Sequence, residues 1–134
     1  MSEIKFSKAE IAMGILWARA ERRGRDAGQA IAPSVMRIVQ ANPITGKPLP
    51  GAKVYVETEG PCGFAYVTIK PARGPLVSYM KKVSRGHRAY YGGWEVSVHA
   101  HGQSMERKAA HAKAMADYLT AEGVKGVSWY DFID

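Results

Sequence analysis

Polar and apolar residues alternate between positions 94 and 101. The apolar positions are Trp94, Val96, Val98 and Ala100, and the polar ones are Glu95, Ser97, His99 and His101. A period of two is typical of a β-strand with one buried face and one polar face. We therefore expect a strand from Trp94 to Ala100, with Trp94, Val96 and Val98 in the core.

A helix with one apolar face follows this strand. Ser104 is a suitable N-cap residue, and Gly123 suits the left-handed position that ends a helix. Apolar residues recur between them at helical spacing, at Ala109, Ala112, Met115, Ala116 and Leu119. A second apolar strand runs over 127–133. The pattern predicts a C-terminal βαβ unit, with Met115 and Leu119 packed against the buried face of its first strand.

A long helix is predicted at the N-terminus. Ser7 and Glu10 have the spacing of a capping box, in which each side chain bonds the amide of the other residue. The predicted buried stripe consists of Ile11, Ile15 and Ala18, widened by Leu16 and Trp17. Gly24 and Gly28 weaken the second half of this helix, and Pro33 ends it. Residues 1–33 are therefore expected to form an N-terminal helical segment.

The middle of the chain predicts three strands and a short helix. Short strands at 35–40 and 54–57 flank a loop at 42–51 that is rich in proline and glycine. The strand from Phe64 to Lys70 is apolar on both faces, which is typical of a central strand. Pro75 is well placed to begin a helix.

These elements together predict an α+β fold. It comprises the N-terminal helix, a mixed sheet of about five strands and two further helices, the second of them within the βαβ unit. A chain of 134 residues has the usual size of one domain, so we expect a single domain over 1–134, with the sheet-containing core at 34–134.

Composition restricts the class of protein. Apolar residues make up 46% and charged residues 23%, as in ordinary folded domains. The apolar runs are far shorter than the ~20 residues that cross a bilayer, and no signal-peptide pattern opens the chain. We therefore expect a cytoplasmic protein without a membrane partner. Cys62 is the single cysteine, which excludes a disulfide within the chain.

Positive charge is the strongest functional signal. The net charge is +7, and residues 70–88 include no acidic side chain. The basic residues of this stretch, called here the basic segment, are Lys70, Arg73, Lys81, Lys82, Arg85 and Arg88, with His87 among them. Tyr90 and Tyr91 follow and offer rings on which bases can stack. We predict that these residues bind nucleic acid or another polyanion. The alternative is a solvated basic face that only aids solubility.

The last predicted helix has a related pattern. Its sequence from Gly102 to Lys113 starts basic and is rich in alanine, and it resembles the final helix of double-stranded RNA-binding domains. That resemblance implies phosphate contacts for Arg107 and Lys108. The predicted helix at 75–84 and the strand after the last helix depart from the element order of those domains.

Two histidines and the cysteine are the candidates for chemistry. At i and i+2 on a strand, His99 and His101 place two imidazoles on one face, and imidazole is a common zinc ligand. A metal site needs at least one more ligand, and an ordinary polar strand face explains the pair equally well. Cys62 is either a nucleophile or a small buried apolar residue. We expect a non-catalytic protein without a cofactor or bound metal.

A set of linear motifs covers the second half of the chain. It consists of Pro61-Cys-Gly-Phe-Ala-Tyr-Val67, Ile69-Lys-Pro-Ala72, Tyr90-Tyr-Gly-Gly93, Gln103-Ser104 and a final Asp134. Over roughly residues 61–134 the chain resembles a group of small proteins encoded by tailed bacteriophages and related mobile elements. The tail of that group is usually more polar than Trp129–Asp134 is here. The resemblance implies a phage-like setting, hence the host cytoplasm, and no assigned activity.

The leading interpretation is a phage-type accessory protein that binds nucleic acid, or a protein that handles it, through a basic surface. The alternative is a phage structural protein or an inhibitor of a host enzyme, whose basic surface meets an acidic host or phage protein. A metal-dependent hydrolase built on His99 and His101 is a third hypothesis. The sequence leaves open the oligomeric state and the choice between DNA and RNA.

Overall fold

The secondary structure starts with a long helix and continues into strands that alternate with two shorter helices. The structure, a computed structural model, describes residues 5–39, 42–47, 49–51 and 54–134. The helices are α1 (Lys8–Ala30), α2 (Pro75–Lys82) and α3 (Met105–Ala121). The strands are β1 (Met36–Val39), β2 (Val54–Glu57), β3 (Gly63–Ile69), β4 (His87–Arg88), β5 (Trp94–Ser97) and β6 (Val127–Ile133). Residues 1–4 of the predicted helical segment, Gln40 of the predicted strand and Pro48 of the predicted loop lie outside the described residues.

A four-stranded sheet in the order β4-β5-β3-β6 forms the centre of the fold. Strands β1 and β2 pair separately as a two-stranded antiparallel ribbon. The α+β class is confirmed, but the central sheet has four strands instead of about five. Its neighbouring strands are all antiparallel, so the prediction of a mixed sheet is corrected.

The C-terminal βαβ unit contains an inserted strand. Strands β5 and β6 are each antiparallel to β3, so they run in the same direction, and α3 connects them. Strand β3 lies between them. From β3 onward the elements follow the order βαββαβ, which is the split βαβ arrangement of ferredoxin-like domains. A hydrophobic pattern shows that a strand exists but not which strand it pairs with, and the insertion was therefore not predicted.

One face of the sheet carries the core. On β3, Ala65, Val67 and Ile69 are buried, and they pack with Trp94 and Val96 of β5. All three helices contribute to this cluster, through Trp17, Ala20, Leu76, Val77, Met80, Ala112, Met115 and Leu119. The predicted burial of Trp94, Val96, Val98, Met115 and Leu119 is confirmed.

Helix α1 begins as predicted but buries a different face. The hydroxyl of Ser7 accepts a hydrogen bond from the Glu10 amide at 3.1 Å, and Oε1 of Glu10 accepts one from the Ser7 amide at 2.9 Å. The predicted buried stripe is wrong at Ile11 and Ile15, which are 53% and 48% exposed, and at Ala18. It is confirmed at Trp17, which is buried, and Leu16 packs against the core. The buried residues of this helix are Trp17, Ala20, Gly24 and Gly28. Neither α1 nor any other helix in the described part of the chain is long and apolar enough to cross a membrane.

Small residues on α1 allow a close approach of α3 and the turn before it. A Cβ atom at Gly24 would lie 2.3 Å from Cδ2 of His111, and one at Gly28 would lie 2.3 Å from Nε2 of His101. Any larger residue at either position would overlap a packed ring. Ala20, Gly24 and Gly28 recur every four residues and so share one face. The glycines that weaken an isolated helix therefore serve its packing here.

Candidate nucleic-acid interface

The face of the sheet opposite the core carries four aromatic side chains. Phe64 and Tyr66 on β3 lie directly opposite Phe132 and Tyr130 on β6. Tyr130 is 40% and Phe132 46% exposed, and Phe64 and Tyr66 are partly buried. We call these four residues the aromatic platform. Because side chains alternate along a strand, the register that buries the core residues of β3 also places these rings on the solvent side.

Three of the four rings of the platform are close to parallel. The centroids of Tyr66 and Tyr130 are 5.0 Å apart with ring planes inclined by 20°, and those of Tyr66 and Phe132 are 5.9 Å apart with an inclination of 11°. Phe64 lies 5.1 Å from Phe132 with an inclination of 36°. The two contacts of Tyr66 are therefore stacked, whereas Phe64 is tilted against Phe132. The part of this cluster that is most open to solvent is the exposed surface of Tyr130 and Phe132.

A groove of about 560 Å³ adjoins the platform. Lys70, Tyr90 and Tyr91, three residues predicted from the sequence to bind nucleic acid, line it together with Tyr130 and Phe132. Tyr90 and Tyr91 are 93% and 88% exposed, and their rings meet edge to face with centroids 4.9 Å apart. The fold thus brings these three predicted residues next to four aromatic residues that were not predicted as a site.

Glu95 lies on the same face but is only 9% exposed. Its Oε2 atom accepts a hydrogen bond from the Tyr130 hydroxyl at 2.5 Å, and its Oε1 atom forms one with Nε2 of His87 at 2.7 Å. Burial raises the pKa of Tyr130, and the hydrogen bond to Glu95 raises it further. Burial and the Glu95 carboxylate also raise the pKa of Tyr66. Both phenols therefore keep their protons, and Glu95 holds the ring of Tyr130 in place.

The basic segment does not converge on one surface. Lys82 forms an ion pair with Glu10 at 2.8 Å, and Arg85 forms one with Glu21 at 2.9 Å. Both carboxylates belong to α1. The hydrogen bond from Lys82 lowers the pKa of Glu10 to about 2. Two of the six basic side chains thus connect α2 and the following turn to α1.

The other four basic side chains of the segment are exposed. Lys81 donates a hydrogen bond to the carbonyl of Ala72 at 3.1 Å. In the described part of the chain, Lys70, Arg73 and Arg88 form no ion pair. Of these residues, only Lys70 lines the groove beside the platform.

The two basic residues predicted on α3 have partners inside the fold. Arg107 forms an ion pair with Glu59 at 2.6 Å and donates a hydrogen bond to the carbonyl of Gly28 at 3.1 Å. Lys108 is 6% exposed and donates to the carbonyl of Gly63 at 3.3 Å. These contacts join α3 to α1 and β3. The prediction that Lys108 contacts phosphate is therefore wrong, because its ammonium group is enclosed by the protein.

The histidines expected on one strand face are in different surroundings. The pairing of β5 ends at Ser97, and His101 has a positive φ of 70°, so the strand alternation does not reach it. His99 is exposed, whereas the ring of His101 packs on His111 of α3. Among the described residues, no three His, Cys, Asp or Glu side chains converge as metal ligands. Cys62 is exposed, which contradicts the interpretation of a small buried residue.

His101 and His111 form a pair between α1 and α3. Nε2 of His101 and Nδ1 of His111 are 3.0 Å apart and share a hydrogen bond. Burial lowers the pKa of both rings, and that of His111 falls to about 4. The charge of His101 contributes to the lowered pKa of His111, and the charges of Arg107 and Lys108 contribute to that of His101. The pair is therefore neutral near pH 7.

Comparison with protein-family models, with curated proteins and with solved structures gives no match to this chain. The geometry of the platform and the groove is therefore the evidence for function in this chain.

Replacing His111 with glutamine should make the stability of the protein less sensitive to acid. Because the pKa of His111 is lowered in the folded state, the neutral ring makes its full contribution to the free energy of unfolding only above the unfolded-state pKa of about 6.5. This contribution is lost as the pH falls toward about 4, on the order of 3 kcal/mol in total, because the unfolded chain then binds the extra proton. Urea unfolding between pH 7 and pH 4 measures this loss.

The exposed His99 provides the matched control. His99→Gln should keep the pH dependence of the wild type, whereas His111→Gln should flatten it. The same pH dependence in wild type and His111→Gln would show that the pair is not held neutral by burial.

Proposed function

We propose that this protein binds single-stranded nucleic acid on the open face of its sheet, as a non-catalytic binding protein. The observation that carries the proposal is the aromatic platform, in which two tyrosines and two phenylalanines share the exposed side of adjacent strands. Contiguous exposed apolar surface on a soluble domain usually marks an interaction site.

The exposed rings of the platform suit nucleobases. Tyr130 and Phe132 keep 40% and 46% of their surface exposed, and every base has a flat π-face that stacks on an exposed aromatic ring. In a duplex these faces are covered by neighbouring base pairs. A platform therefore favours single strands, loops or ends, whose bases are free to leave the stack. RNA-binding modules with a four-stranded sheet use aromatic side chains of the sheet in this way and stack two or three bases.

Charge near the platform supports the same proposal. The net charge of +7 attracts a polyanion over a distance, and Lys70 provides an ammonium group at the groove. A strand that crosses from the platform into the groove stacks bases on Phe132 and on Tyr90 or Tyr91. Its backbone then passes Lys70. Of the six predicted basic side chains of the basic segment, only Lys70 belongs to the proposed binding surface. The aromatic platform is added to it.

A protein partner is the second candidate function. Strand β6 lies at the edge of the sheet, where Phe132 is 46% and Ile133 66% exposed. An extended segment of an acidic partner can add to such an edge as a further strand. This candidate retains the predicted role as a phage structural protein or an inhibitor of a host enzyme. The phage-like setting and the cytoplasmic location remain predictions under either function.

Removing single rings should weaken the binding of unstructured oligonucleotides. Phe132→Ala and Tyr90→Ala should each raise the Kd for ten-nucleotide uridine or thymidine strands about 5- to 150-fold, since a stacked base contributes about 1–3 kcal/mol. Fluorescence anisotropy of labelled strands at low salt measures the effect. A ten-base-pair duplex should bind more weakly than either strand.

Phe6→Ala is the matched control for this experiment. Phe6 is also aromatic and 40% exposed, but its ring packs near Tyr79 of α2 on the helical side. Its replacement should leave the Kd unchanged. Wild-type protein that binds neither strand, or a Phe132→Ala variant with wild-type affinity, would refute stacking on the platform and favour a protein partner.

Removal of one phosphate contact should change the salt dependence of binding. Each contact with a single strand contributes about −0.7 to the slope of log K against log salt. Lys70→Ala should therefore flatten the slope by about 0.7 for every base sequence alike. Lys82→Ala removes the same charge from the pair with Glu10 and should leave the slope unchanged. A larger effect of Lys82 than of Lys70 would locate the anion site on α2 instead.

A further inference from the structure

A carboxylate occupies the floor of the groove beside the platform. Glu95 is on β5, a central strand of the sheet, and His87 on the neighbouring β4 lies directly opposite it. The Glu95 side chain keeps 12% of its surface exposed, and it lines the groove together with Thr68 and Ser128. A negative group at this place is unexpected on a face that meets a polyanion. It calls for a role within the binding site.

The hydrogen bonds of Glu95 leave part of its acceptor capacity unused. An ionised carboxylate has about four lone-pair sites. The Tyr130 hydroxyl bonds one oxygen at 2.5 Å, and Nε2 of His87 is 2.7 Å from the other. Each oxygen therefore retains a lone pair. These two bonds also fix the position of the carboxylate, so that it is held in place before a ligand binds.

The remaining polar groups of the floor point to the same kind of ligand. The hydroxyls of Thr68 and Ser128 are 2.6 Å apart and bond each other. One of the two protons is used in that bond, which leaves acceptor lone pairs on both oxygens. Together with Glu95 they form a floor that accepts more hydrogen bonds than it donates.

We infer that Glu95 makes the groove selective for guanine among the bases of a bound strand. This inference rests on the proposed binding of single strands. The Watson–Crick edge of guanine presents two adjacent donors, N1–H and the N2 amino group, which match the two oxygens of a carboxylate. Adenine and cytosine present one amino group beside an acceptor. Uracil and thymine present one N–H between two carbonyl oxygens, which a carboxylate repels.

The size of the preference follows from the cost of leaving a buried polar group unpaired. A site built to bond a donor rejects an analogue that lacks it, because the remaining lone pairs of the desolvated carboxylate then have no additional partner. A bidentate contact between a side chain and a base discriminates by about 1–3 kcal/mol, which corresponds to about 5- to 150-fold in Kd. Stacking on the platform does not distinguish the bases to this extent.

The test uses ten-nucleotide uridine strands that carry one central guanosine, inosine, adenosine or cytidine. Wild-type protein should bind the guanosine strand at least about 5-fold more tightly than the all-uridine strand, with inosine between them because it lacks the N2 amino group. Glu95→Gln keeps the shape of the side chain but replaces one acceptor by a donor. The guanosine preference of the wild type should be lost in this variant.

Tyr130→Phe distinguishes the selection of guanine by Glu95 from the support that Glu95 gives to the ring of Tyr130. It removes one of the two hydrogen bonds that fix Glu95 while keeping the ring and the carboxylate, and His87 still holds the other oxygen. The guanosine preference should therefore fall less in this variant than in Glu95→Gln. A wild type without base preference, a Glu95→Gln variant that retains the preference, or an equal loss in Tyr130→Phe would overturn the selection by Glu95 and leave the proposed binding function standing. Failure of every strand to bind would overturn both.

Discussion

The pairing of β3 with β5 on one side and β6 on the other is the constraint on which both the core and the candidate site depend. Because side chains alternate along a strand, this one register sends Ala65 and Val67 to the helices and Phe64 and Tyr66 to the opposite face. A shift of one residue would exchange the two faces. It would bury the aromatic rings under the helices and expose the aliphatic core, so the site cannot change its position independently of the fold.

The local elements of the fold follow from the sequence, and their partners do not. Alternation at Trp94 and Val96 and the capping box at Ser7 depend on residues within a few positions of each other, and these features are confirmed. The buried face of α1 was predicted from large apolar residues, of which Trp17 is buried but Ile11 and Ile15 are exposed. It is instead set by Gly24 and Gly28, where α3 and the turn before it approach too closely for a side chain. Such a face is visible in the sequence only as a spacing of small residues.

The candidate site was predictable in part for the same reason. Tyr90, Tyr91 and Lys70 were identified from local composition, and the fold places them around one groove. Local composition predicted phosphate contacts for Lys82 and Arg85 as well. Their acidic partners on α1 lie more than sixty positions earlier in the chain, so local composition does not reveal these ion pairs. The apolar residues on both sides of β3 correctly indicated a central strand. These residues did not predict the platform, because an aromatic strand face that is open to solvent has the same sequence pattern as an aromatic strand face that is buried.

The most direct test of binding on the open sheet face is an NMR titration of the full chain with a ten-nucleotide uridine strand at low salt. We predict that the largest changes in chemical shift fall on the aromatic signals of the platform and on the amides of β3, β6 and the loop at Tyr90 and Tyr91. The signals of α1 should stay near their free positions. Changes confined to α1 and α2, or no changes at saturating strand concentration, would contradict the assignment of the open sheet face as the binding surface.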